Sequence, residues 1–204
     1  MRVQLGLFLL EGVLLPTEQV PLHVFEPRYR ELIGESLERG TEFGWVLADD
    51  DGFRDVGCRA AVIGTLEEFD DGRLLVAVEG REPFRVERLT SGREFYTAEV
   101  ESVPDDGSVG KPEDVTRALE LYKSIVDVAD GESELPDAAS PVLSYELAAR
   151  IEFEVGPKQE LLESRSERER LARVVAILDE AATQLAREQE ARDRAAGNGR
   201  VSPR

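Results

Sequence analysis

Pro21-Leu22-His23-Val24-Phe25-Glu26-Pro27-Arg28-Tyr29-Arg30 is the stretch on which the reading of this chain turns. Its first five residues form a short extended run, apolar on either side of His23. Pro27 then suits the first position of a helix, where a missing N–H costs nothing. Tyr29, Leu32, Ile33 and Leu37 follow at helical spacing on one face, and Gly40 supplies a C-terminal cap. A strand therefore feeds a single helix within a few residues.

Working outward, the flanks are strands. Upstream, Val3, Leu5, Leu7 and Leu9 alternate as in a half-buried strand, and Val13-Leu14-Leu15 runs until Pro16. Downstream, Phe43 to Leu47, Cys58 to Phe69, Leu74 to Val78, Phe84 to Val86 and Phe95 to Val103 read as strands. Asp70-Asp71-Gly72 is a hairpin turn, because Asp-Gly tolerates positive φ. Residues 1–103 thus predict a small, partly closed barrel with one inserted helix. Residues 104–112, rich in Pro, Gly and Asp, read as a linker.

Residues 113–192 read as a helical bundle. Val115, Ala118, Leu119, Tyr122, Ile125, Val126 and Ala129 make an apolar stripe, and 130–139 a loop. Ser140-Pro141 opens a helix holding Leu143, Leu147, Ala148 and Ile151, and Pro157 opens a short one with Leu161 and Leu162. Ser166 and Glu169 have capping-box spacing. They precede a helix burying Leu171, Val174, Val175, Leu178, Ala182 and Leu185. Residues 193–204 form a tail expected to be disordered. The fold class is α+β.

Charge restricts the function. The 43 acidic and 25 basic residues leave a formal net charge of −18. That field repels phosphate backbones, so nucleic acid and anionic membrane surfaces are disfavoured partners. One cysteine, Cys58, permits no internal disulfide. The N-terminus lacks a signal-peptide pattern and no stretch has transmembrane length, so a cytoplasmic location is expected.

No catalytic, metal or cofactor site emerges. His23 is the only histidine, which precludes a His-rich metal site. Within its apolar run it reads as a structural residue inside the fold. Cys58, beside Ala60, Ala61 and Val62, reads as a buried inert thiol. Gly107 to Pro112 echoes a phosphate loop, but Asp105 stands where the motif's first Gly belongs and Pro112 where a magnesium-ligating hydroxyl belongs. The carboxylates at 49–51 and 67–71 coincide with turns and lack calcium-loop spacing.

The opening decapeptide resembles the hallmark of the Lon N-terminal domain family. Val78-Glu79-Gly80-Arg81-Glu82-Pro83-Phe84-Arg85-Val86 resembles a second motif of that family, departing at Pro83, where Arg is usual. Lys158 to Glu163 and Arg168 to Leu171 resemble its helical part. Pro21, His23, Phe25, Glu26, Pro27, Arg28, Tyr29, Gly80 and Phe84 are the family-motif positions, expected to be structural. The resemblance implies a PUA-like pseudo-barrel followed by a helical bundle. In Lon proteases this domain helps capture unfolded or tagged substrates and helps assemble the hexamer. The chain holds neither the ATPase loop nor the Ser-Lys protease segment, so a stand-alone, non-enzymatic binding module is expected.

Its partners would be exposed apolar polypeptide segments, and a protease or chaperone system. Trp45, Phe53, Phe95 and Tyr96, aromatics near strand ends, are the candidate peptide contacts. An alternative is an assembly or adaptor role through the C-terminal helices, with oligomerisation. RNA binding, suggested by the PUA-like fold, is opposed by the charge.

Overall fold

A computed structural model describes residues 2–128, 134–152 and 154–198. Seven strands and five helices run in the order β1 (Arg2–Leu10), β2 (Gln19–Val24), α1 (Pro27–Arg39), β3 (Phe43–Asp49), β4 (Gly52–Phe53), β5 (Val56–Glu68), β6 (Leu74–Thr90), β7 (Thr97–Ser102), α2 (Pro112–Val128), α3 (Leu143–Ala148), α4 (Val155–Glu163) and α5 (Glu167–Asn198). The protein is α+β, as its sequence predicts.

Two compact units are present, and they do not divide at a single point. One comprises residues 1–107 and 148–166, the other 108–147 and 167–204. The sequence assigns 113–192 to one helical unit, but α4 belongs with the strands. Helix α5 continues to Asn198, past the expected start of the tail at 193. Ala129, the first residues of the 130–139 loop and the end of the tail at 199–204 lie outside the described residues.

In the first unit, the sheet order β1-β7-β6-β5-β3 closes on itself through a parallel β1–β3 pairing, with Phe8 opposite Trp45. Closure satisfies the edges of these five strands. β4 extends β3, and β2 flanks the first half of β6. Inside the barrel, Leu5, Leu7, Val46, Phe84, Ala98 and Val100 form a buried cluster. Each such large side chain contributes about 1.5–3 kcal/mol on leaving water. Phe84 is therefore a core residue.

Helix α1 begins at Pro27 and ends at Gly40, whose φ of +64° is the left-handed cap. It buries Tyr29, Leu32 and Ile33 as expected. Leu37, expected on the same face, is exposed instead. Ser36 takes the buried position, its hydroxyl donating to the Leu32 carbonyl at 3.1 Å. Tyr29 stacks on Phe8 with centroids 3.8 Å apart, and its hydroxyl accepts the Leu9 N–H at 3.3 Å. Burial pushes the Tyr29 phenol above its ordinary value, more than that hydrogen bond lowers it.

Helix α4 is pinned to the strands by two polar side chains. Lys158 Nζ lies 2.6 Å from Glu18 Oε1, while Glu18 Oε2 accepts the Leu15 N–H at 2.8 Å. Gln159 Nε2 donates to the Val56 carbonyl at 3.1 Å. Nearby, Gly80 makes a close approach that any side chain would block. A Cβ there would stand 2.0 Å from the Leu15 carbonyl oxygen, and Gly80 exchanges backbone hydrogen bonds with the Thr17–Glu18 turn.

In the second unit, α2 buries Ala118, Leu121 and Tyr122, and α5 buries Leu171, Val174 and Leu178. A buried polar network ties the start of α3 to α5. Arg170 pairs with Glu167 at 2.9 Å. Glu167 accepts the Ser144 N–H and hydroxyl at 2.9 and 2.5 Å, and Arg170 lies over the Tyr145 ring.

Candidate functional site

The residues expected to contact peptide are mostly spent on packing. Trp45 is buried and donates its indole N–H to the Gly12 carbonyl at 2.7 Å. Phe53 is half-buried against the barrel core. Phe95 is buried beneath the Arg93 guanidinium, 4.6 Å from its ring centroid. Of the four, only Tyr96 is open to solvent, at 46% exposure. Sequence position near strand ends does not separate inward from outward rings in a closed barrel.

The exposed aromatic surface lies instead on the opening decapeptide. Phe25, at the end of β2, is 59% exposed. Its ring stands 5.9 Å from His23, and His23 stands 5.8 Å from Phe69. His23 was expected inside the fold. It is exposed, because the β2 pleat turns Leu22 and Val24 inward and His23 outward. Across the sheet His23 is opposite Leu75, which is opposite Glu67. Phe69 carries Arg73 on its face, 4.9 Å away.

Two more exposed apolar residues sit on the same β5–β6 hairpin. Ile63 is 44% exposed and Leu66 is 57% exposed. Both fall at register shifts of β5 against β6, between Val62 and Gly64 and between Thr65 and Glu67. Each is an unpaired bulge residue, whose side chain the ladder does not direct into the core. The Asp70-Asp71-Gly72 turn closes this hairpin, with φ of +81° at Gly72. Asp71 is held below its ordinary carboxylate value, chiefly by the Arg73 backbone N–H.

Pro21 guards the β2 edge. The Glu18 carbonyl accepts from Gly80 N–H, so alternation turns the backbone polar groups of Val20, Leu22 and Val24 toward β6. Those of Gln19, Pro21 and His23 face away. A proline there removes one donor from an edge that pairs with no second strand among the described residues. Glu26 pairs with Arg28 at 2.8 Å, and Arg28 lies over Tyr29. These motif residues thus shape the strand-to-helix junction that presents Phe25.

A second concavity, about 330 Å³, lies beside α1 and the β6–β7 loop. Arg93 and Glu35 line it, and Arg93 pairs with Glu35 and, at 2.7 Å, with Glu31. The Arg93 hydrogen bond holds Glu35 below its ordinary value.

The sequence model of the ATP-dependent protease La (LON) substrate-binding domain matches residues 4–180. The chain belongs to the Lon substrate-binding domain family. A Lon N-terminal domain protein from Xanthomonas campestris is similar in structure, with a TM-score of 0.69 and 26% identity over 85% of this chain and 98% of that one. The N-terminal domain of Mycobacterium avium complex Lon protease has the same fold, with a TM-score of 0.63 and 15% identity over 89% and 98% of the two chains. The likeness is to Lon's substrate-binding domain and not to its protease domain. Among the described residues, no helix is long and apolar enough to cross a membrane, and no group of three or more His, Cys, Asp or Glu side chains is placed to hold a metal ion.

Proposed function

We propose that this chain is a non-catalytic module that captures polypeptides through exposed apolar segments, for handling by a protease or chaperone system. The observation that carries the reading is a set of exposed side chains, Phe25, His23, Ile63 and Leu66, with the half-buried Phe69 ring beside His23. An apolar surface kept open on a stable barrel is what a binder of apolar chain segments requires.

The chemistry of the two reactive side chains supports the non-catalytic part. Cys58 is fully buried and its thiol is pushed far above its ordinary value by desolvation. A neutral, inaccessible thiol is no nucleophile. His23, the one imidazole, stands on the outer surface. The acidic charge further matches polypeptide rather than nucleic acid.

The test is binding of a dye-labelled, permanently unfolded polypeptide, followed by anisotropy. Saturable binding that competes with a fluorescent apolar dye, and that F25S weakens, supports the reading. Absence of binding at tens of micromolar protein, or binding that F25S and L66S leave unchanged, overturns it.

A further inference from the structure

Strand β2 has one paired edge and one open edge. It pairs with β6 from Gln19 opposite Glu79 to Val24 opposite Leu74, and with no second strand among the described residues. The elements that approach it most are β6 and α1, the helix that follows it in the chain. Alternation leaves the N–H groups of Gln19 and His23, and the carbonyls of Gln19, Pro21 and His23, on the open side. None of the five has a hydrogen-bond partner among the described residues. All three residues are exposed. Pro21 removes one group of six, and the row repeats on alternate residues, about 7 Å apart.

A second main chain fits such a row, because an extended polypeptide supplies donors and acceptors at the same spacing. The neighbouring side chains narrow the choice. Gln19, Pro21 and His23 point to the outer face, where His23 stands 5.9 Å from the exposed Phe25 ring and 5.8 Å from Phe69. A strand laid along β2 would set every second side chain about 5 Å from this row. Apolar side chains there cover Phe25 and the His23 ring. The end of the adjoining β5–β6 hairpin gathers Glu67, Glu68, Asp70 and Asp71 against Arg73, which pairs with Asp71, and Arg30, which reaches the Asp71 carbonyl. That end is net negative, as is the whole chain at −18, so a basic segment is favoured over an acidic one.

We propose that the open edge of β2 captures an apolar, basic segment of an unfolded polypeptide as an added antiparallel strand. This mode rests on the polypeptide binding proposed above and gives it a geometry. Main-chain pairing supplies affinity for any extended segment, and the Phe25 face selects apolar side chains. Antiparallel pairing closes two hydrogen bonds at Gln19, two at His23 and one at Pro21. The missing donor at Pro21 leaves the pairing incomplete, which keeps capture reversible and discourages two copies from pairing edge to edge.

The experiment uses the full ¹⁵N-labelled chain and a short peptide, acetylated and amidated, in which three leucines alternate with two threonines between terminal lysines. Two N-methylated forms are compared with it, one methylated at every leucine and one at every threonine, with all side chains kept. With leucines opposite Gln19, Pro21 and His23, the leucine N–H groups point at β2 and the threonine N–H groups point away. Binding of the unmethylated peptide is expected to slow hydrogen exchange at the Gln19 and His23 amides. Leucine methylation is expected to weaken binding at least tenfold, through the loss of three hydrogen bonds of about 0.5–1.5 kcal/mol each. Threonine methylation is expected to change it less than about threefold.

Equal effects of the two methylated forms, a loss confined to the threonine form, or unchanged exchange at Gln19 and His23 overturns the added strand. Protection of those amides in the free chain that rises with protein concentration also overturns it, because a second copy then occupies the edge. If unfolded polypeptide binds and F25S weakens it while the methylated forms behave alike, the strand alone falls and the binding function stands. If neither the polypeptide nor the peptide binds, both fall.

Discussion

Lys158 and Glu18 are 140 positions apart in sequence and form a largely buried ion pair of 2.6 Å. Glu18 is thereby shared between the ammonium of α4 and the Leu15 N–H of the turn before β2. The pair joins the last segment of the barrel unit to its first loop.

Replacing Lys158 by Met is expected to cost about 2–3 kcal/mol, because it strands the Glu18 carboxylate in a poorly hydrated place. Both side chains retain some exposure, which keeps the figure below that of a fully buried pair. The double variant K158M/E18Q should be more stable than K158M alone, since Gln still accepts from Leu15. Urea denaturation of the wild type, both single variants and the double variant measures this cycle. Additive losses would mean that the two side chains do not act as a pair.

Local patterning carried much of the fold: the alternation in β1, Pro27 and Gly40 at the ends of α1, and the Asp-Gly turn all report on their own neighbourhood. What depended on distant partners was not legible. Nothing near Lys158 announces Glu18, so α4 read as part of the helical unit. The Glu167–Arg170–Ser144 network joins residues 23 and 26 apart, and in sequence its acid and base look like ordinary surface charge. The candidate surface was not legible: the sequence offers Trp45, Phe53, Phe95 and Tyr96 as peptide contacts and reads the decapeptide as structural. A one-residue change of face decides whether His23 packs inside or stands beside Phe25. Ile63 and Leu66 stayed hidden because bulges interrupt the alternation that would have marked them.

Gly80 and Gly34 should respond oppositely to alanine. At Gly80 the new Cβ meets the Leu15 carbonyl oxygen, which is backbone and held by the turn. The strand or the turn must move, and a loss of about 2–4 kcal/mol is expected, in the range of overpacked sites. At Gly34, inside α1, a Cβ meets nothing within 4 Å. Alanine there should stabilise by about 0.5–1 kcal/mol through helix propensity. Thermal melts followed by circular dichroism test both. A G80A variant as stable as wild type would contradict the close approach.

Cys58 sets an alkaline limit on stability. Desolvation raises its folded-state pKa far above the ordinary 9.0. The unfolded chain therefore releases this proton first as pH rises. The stabilisation is fully present below about 9 and is lost above it, approaching about 1.4 kcal/mol per pH unit for one proton. C58A should remove that part of the slope between pH 9 and 10.5, whatever its own packing cost at pH 7. A thiol reagent should also label the native protein only at the rate of unfolding. Rapid labelling at pH 7.5, or an unchanged alkaline slope in C58A, would place the thiol in contact with water.

Phe25, Leu66 and Tyr96 are three exposed apolar residues, and they separate the surface of Phe25 and the β5–β6 hairpin from the strand-end aromatics that the sequence offers as peptide contacts. Phe25 and Leu66 are more than half exposed, so F25S and L66S should change stability by less than about 0.5 kcal/mol. If unfolded polypeptide lies across this surface, each loses an apolar contact of about 1–2 kcal/mol, weakening binding roughly 5- to 30-fold. The double variant should lose more than either single one. Tyr96 contributes its carbonyl to Leu7 N–H, at 2.7 Å, and Y96S leaves that backbone bond in place. Y96S should therefore bind unfolded polypeptide as wild type does. A loss of affinity in Y96S with none in F25S would move the site to the β6–β7 loop. Anisotropy titrations of all four variants at equal salt, with melting curves alongside, decide between the two surfaces.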